Sequence, residues 1–73
     1  MREDILKILE GIRPDVDFEA ETALVDDGVL GSLDIVDLVS QLNDEFVVDI
    51  SVDDLVPDNF NTVDAIVELI ESL

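Results

Sequence analysis

Residues 32–46 read Ser-Leu-Asp-Ile-Val-Asp-Leu-Val-Ser-Gln-Leu-Asn-Asp-Glu-Phe. Ile35, Leu38, Val39, Leu42 and Phe46 recur at the spacing of one helix face, while Asp34, Asp37, Gln41, Asp44 and Glu45 fall toward water. The stretch predicts an amphipathic helix with an acidic outer surface. Ser32 opens it, after an acidic segment, Val25-Asp26-Asp27-Gly28-Val29-Leu30-Gly31, that ends in a tight turn.

Working outward, residues 2–13 place Ile5, Leu6, Ile8, Leu9 and Ile12 on one face, with Glu3 and Asp4 at the positive end of the helix dipole and Arg13 at the negative end. Pro14 stops that helix. No sustained period follows through residue 31, and a loop of that length needs anchors. Val16, Phe18, Leu24, Val29 and Leu30 can supply them by packing over the helices. Beyond residue 46, Val47-Val48-Asp49-Ile50 is too short to build a sheet. Ser51-Val52-Asp53-Asp54 reads as a capping box for a short third helix, closed by Pro57. A last helix is expected near Asn61, where Asn61 and Asp64 repeat the cap-plus-acid spacing and Val63, Ile66, Val67 and Ile70 face inward. The expectation is an all-α fold over residues 1–73 as a single domain. It is a small four-helix bundle, three longer helices and one short, with a long loop between helices one and two.

Composition narrows the function. At 73 residues the chain buries only about 60% of its unfolded surface, which leaves little room for a deep enzyme cleft. Its 48% hydrophobic content is nevertheless too high for a disordered acidic tail. Cysteine and histidine are both absent, which removes disulfides, thiolate chemistry and the commonest metal ligand and general base. Arg2, Lys7 and Arg13 are the only basic residues, and the net charge is −17. Nucleic-acid binding is excluded on that ground, since phosphate contacts need Lys and Arg. The same field steers basic protein partners toward the chain. No apolar run approaches a membrane span, and the N-terminus lacks a signal-peptide core, so a cytoplasmic monomer is expected.

Ser32 carries the sharpest chemistry. A serine opening a helix presents its hydroxyl beside backbone N–H groups that have no intrahelical partner, in the positive potential of the aligned peptide dipoles. A phosphate attached there is electrostatically favoured. The simpler role is an N-cap, whose truncation costs about 1 kcal/mol. The context of Ser32 favours more than a cap: Ser32-Leu33-Asp34 and the amphipathic acidic helix behind it resemble the attachment site of acyl and peptidyl carrier proteins. The size of the chain and the order of its helices resemble that family too.

The resemblance implies a 4'-phosphopantetheine arm joined to Ser32 as a phosphodiester, whose thiol holds an acyl or aminoacyl group as a thioester for fatty acid or nonribosomal peptide biosynthesis. It implies a phosphopantetheinyl transferase and acyl- or aminoacyl-loading and transferring enzymes as partners. Asp34, Asp37, Asp44, Glu45, Asp53 and Asp54 are the candidate acids for docking their Arg and Lys residues, with Leu33 and Ile35 adding apolar contact. The 26–30 turn and Asn59-Phe60-Asn61-Thr62 look more like aminoacyl or D-alanyl carriers than fatty-acid carriers. Gly31 is a departure, because the family usually has Asp before the serine, on the surface the transferase reads. Glycine there also allows unusual backbone angles or close approach.

Other constellations are weaker. Asp15, Asp17 and Glu19 alternate like the first ligands of a calcium loop, but the sixth position is Ala20 and the twelfth Asp26, where such a loop has Gly and a bidentate Glu. No metal site and no enzymatic activity are expected. The alternative to a carrier is an acidic helical protein-binding module without a prosthetic group.

Overall fold

A computed structural model describes residues 1–73. Four α-helices follow one another: α1 over Arg2–Ile12, α2 over Ser32–Phe46, α3 over Pro57–Phe60 and α4 over Val63–Ser72, with a 3-10 turn at Val52–Asp54 and no strand. The three longer helices enclose the core, α1 packing on both α2 and α4, while the short α3 packs on α4. Every fully buried side chain is apolar.

The helix stripes fall where periodicity puts them. Ile5 and Leu9 of α1, Leu38 and Leu42 of α2, and Val63, Ile66 and Ile70 of α4 are buried, with Leu6, Ile8, Ile12, Ile35, Val39, Phe46 and Val67 packed around them. Leu69 joins the buried set, widening the inner face of α4. The long loop is held by its own apolar residues: Phe18, Leu24 and Leu30 are buried, and Val16 and Val29 pack beside them. Such anchors let an irregular segment share the core, because each buried large apolar side chain contributes about 1.5–3 kcal/mol.

Two boundaries differ from expectation. Pro57 opens α3 instead of closing the preceding turn. At the first helical position its missing N–H has no helical use and its fixed φ suits the helix, so it initiates here. The cap of α4 is Thr62, whose hydroxyl accepts the Ala65 N–H at 3.0 Å, and not Asn61. Asn61 is turned the other way, onto the long loop. Its Oδ1 accepts the N–H groups of Val25 at 3.0 Å and Asp26 at 3.1 Å, its Nδ2 donates to the Asp26 carboxylate, and its backbone carbonyl accepts the Leu24 N–H.

The exit of α2 is similarly tied. The Asn43 carbonyl accepts the N–H groups of Val47 and Val48, and Asn43 Oδ1 accepts the Ile50 N–H at 2.9 Å. These bonds bring Ile50 back into the core, and they leave Val47 in the left-handed region at φ 53. Arg2 and Asp64 form an ion pair between α1 and α4.

Candidate functional site

Asp34 organises the junction at which α2 begins. As the third residue of the helix it turns its carboxylate back to accept the Gly31 N–H at 3.1 Å, one half of a capping box. Gly31 has no side chain to return the bond. The same Asp34 oxygen accepts a hydrogen bond from Arg13 Nη1 at 3.3 Å, and Arg13 also pairs with Asp15. Asp34 was expected to face water; its side chain is only 26% exposed, because these two donors draw it inward.

Gly31 is the N-cap and Ser32 the first helical residue. The cap reading of Ser32 is therefore corrected: its hydroxyl lies one position too far along to reach back over the first turn. Ser32 is exposed, and its hydroxyl takes part in no hydrogen bond within the protein. The first bond into the helix runs from Ile35 N–H to the Gly31 carbonyl, so the N–H groups of Ser32, Leu33 and Asp34 have no intrahelical partner. An anionic group on Ser32 Oγ would lie near these donors and the positive end of a 15-residue helix.

Gly31 adopts φ −80 and ψ 178, an extended conformation open to any residue. A Cβ there would meet only Asp34 Oδ2, at an ordinary 3.8 Å. Neither unusual backbone angles nor close approach accounts for the glycine.

Around Ser32 the surface is apolar and acidic together. Leu33 is 85% exposed and Val36 is 64% exposed, with exposed Asp37 beside them receiving a hydrogen bond from Gln41. Ile35, one turn from Ser32, is half-buried and lines an apolar groove of about 140 Å³ with Val25, Leu55, Val56, Pro57 and Phe60. Val36 escaped sequence reasoning, although its place off the buried stripe was the available signal.

The other predicted acids are dispersed. Asp44 and Glu45 lie near the far end of α2, about 18 Å along its axis from Ser32, where they line a shallow groove with Ile8 and Gln41. Asp53 is exposed on the 3-10 turn. Asp54 is half-buried, its carboxylate accepting the backbone N–H and the hydroxyl of Ser51 at 3.1 Å each, which is the Asp54 half of the expected capping box. The structure thus brings Leu33, Asp34, Ile35 and Asp37 together at Ser32, and separates Asp44 and Glu45 from them. No cluster of three or more acidic residues converges in the manner of a metal site. No helix is long and apolar enough to cross a membrane.

The family model described as phosphopantetheine attachment site matches residues 3–70. Members of that family carry 4'-phosphopantetheine covalently on a serine and act as carriers without catalysis of their own. No curated protein and no solved structure matches the chain.

Proposed function

The chain belongs to the phosphopantetheine attachment site family, and from that premise we propose that Ser32 is its attachment serine and that residues 1–73 act as one monomeric carrier domain. The observation that carries the assignment is an exposed serine hydroxyl with no partner of its own, at the start of α2 and inside the matched segment. The residues present suit the group. Three N–H groups without an intrahelical partner and the helix dipole favour a phosphodiester. When bound, the arm supplies a thiol that holds an acyl or aminoacyl group as a thioester, a reactive function the chain lacks without cysteine.

Partner enzymes, first a phosphopantetheinyl transferase and then loading and transferring enzymes, meet the chain at the same end. Leu33 and Val36 offer apolar contact, Ile35 opens the groove to the arm, and Asp37 presents charge to basic residues, with Asp53 across the groove-forming segment. Asp34 and Asp54 contribute negative potential while their carboxylates hold the starts of their own turns. Asp44 and Glu45 serve partners that reach along α2. The cytoplasm, where such enzymes and coenzyme A occur together, is the proposed location.

The test is intact mass after incubation with coenzyme A, Mg²⁺ and a broad-specificity phosphopantetheinyl transferase. A mass increase of one phosphopantetheinyl group is expected for the parent and none for Ser32→Ala. No increase in the folded parent, or an equal increase in the variant, would return the chain to the acidic protein-binding module.

A further inference from the structure

We propose, resting on the attachment of the arm at Ser32, that Arg13 is a positioning residue for that modification and acts through Asp34. A single carboxylate oxygen of Asp34 serves two donors: the Gly31 N–H, which closes the first turn beside Ser32, and Arg13 Nη1, which ties that turn to the end of α1. Arg13 is itself anchored. Its N–H donates to the Leu9 carbonyl, its own carbonyl accepts the Val16 N–H, and Pro14 follows it. The guanidinium therefore reaches the junction from fixed backbone, and the position of the Gly31–Ser32 peptide depends on a contact 21 residues away in sequence.

Charge gives the contact a further role. Of the three basic side chains, Arg2 is engaged with Asp64, and Lys7 forms no ion pair on the exposed side of α1. Arg13 alone is coupled to the junction that carries Ser32. Modification brings a polyanion, coenzyme A, to a chain of net charge −17 and leaves a phosphodiester behind. By compensating Asp34 next to the point of attachment, Arg13 lowers the local repulsion that the incoming phosphate meets. Asp34 in turn stays folded back on Gly31 and leaves the hydroxyl unobstructed.

The experiment compares transferase kinetics, followed by intact mass, for the parent, Arg13→Gln, Arg13→Lys and Arg2→Gln, each first shown by circular dichroism to fold. Arg13→Gln is expected to lower kcat about two- to fivefold, the scale of a partly exposed ion pair, with KM for the carrier unchanged. Arg13→Lys should recover most of the loss, since charge persists. Arg2→Gln removes the same charge at the Asp64 contact and should match the parent. Hydrogen exchange at the Gly31 amide should accelerate in Arg13→Gln and not in Arg2→Gln. Modification of Arg13→Gln as fast as the parent or faster, a loss confined to KM, or an equal loss in Arg2→Gln would overturn the proposal. A parent that accepts no phosphopantetheine would instead refute Ser32 as the attachment serine, while Gly31 exchange would still report whether Arg13 orders the junction.

Discussion

Asn61 grips Asp26 at two points, accepting its backbone N–H and donating to its carboxylate, each at 3.1 Å. With the Val25 N–H and the bond from Leu24 to its own carbonyl, one asparagine secures three consecutive residues of the long loop. Val25 also lines the apolar groove near Ser32, so this contact sets one wall of it. Asn61→Ala strands the partly buried Val25 N–H, while the exposed Asp26 N–H turns to water, and should cost about 1 kcal/mol, measured by urea denaturation. Amide exchange should accelerate at residues 24–26 and leave Ile66 slow. Unchanged stability would mean that water serves those donors equally well.

Two hydroxyls at helix starts should respond differently to removal. Thr62 caps α4 through Ala65, so Thr62→Ala should cost about 1 kcal/mol. Ser32 caps nothing, because it lies inside the first turn with Gly31 at the N-cap, and Ser32→Ala should change stability by less than about 0.5 kcal/mol. Thermal melts of the two variants decide the matter, and equal losses would count against this division of roles.

Val47 ends α2 with φ 53 and ψ 50, a conformation unfavourable to a β-branched residue, and its side chain is 90% exposed and packs on nothing that offsets it. Val47→Asn should stabilise the protein by about 1 kcal/mol, raising Tm by about 4–8 °C for a domain of this size. A lower Tm would show that the exposed valine contributes packing that outweighs the strain.

Charge reversal on α2 should act on encounter with basic partners. Asp37→Lys removes an exposed carboxylate whose only internal bond is to Gln41, so the fold should survive it. Association with the transferase should slow at low salt, and the difference should shrink above about 0.1 M, where the Debye length is about 10 Å. Asp34→Lys is a poor comparison, since it also breaks the Gly31 and Arg13 contacts. Equal rates for Asp37→Lys and the parent at low ionic strength would place docking elsewhere.

Periodicity makes α1, α2 and α4 legible, because each must bury a continuous apolar stripe. The loop anchors are legible for a related reason: Phe18, Leu24 and Leu30 are large apolar residues in a polar segment, and the core is where they lose least. The roles of Asn61 and Asn43 have no such signature. Each satisfies backbone groups of a separate segment, and a tertiary hydrogen bond leaves no spacing to read. Asp34 was hidden by ambiguity, since an acid at the third helical position serves either its own turn or a basic partner, and charge alone does not separate the two uses; Asp54 was legible because Ser51 stands three residues before it. Pro57 was misread because the residue that ends one turn is equally suited to begin the next.

Every basic side chain belongs to α1 or its last cap, and its two arginines meet Asp64 of α4 and Asp34 of α2. In polyelectrolyte terms α1 is the fold's internal counterion, and an insufficient one, for residues 14–73 contain no cation at all. A basic surface docked on the chain would supply the remainder. It neutralises the compact form more than the expanded chain, whose charges stand farther apart, so partner occupancy and folding form one linked equilibrium. A protein docked in this way should therefore melt higher than the free one, and dilute solution without salt should be the condition in which the free fold is weakest.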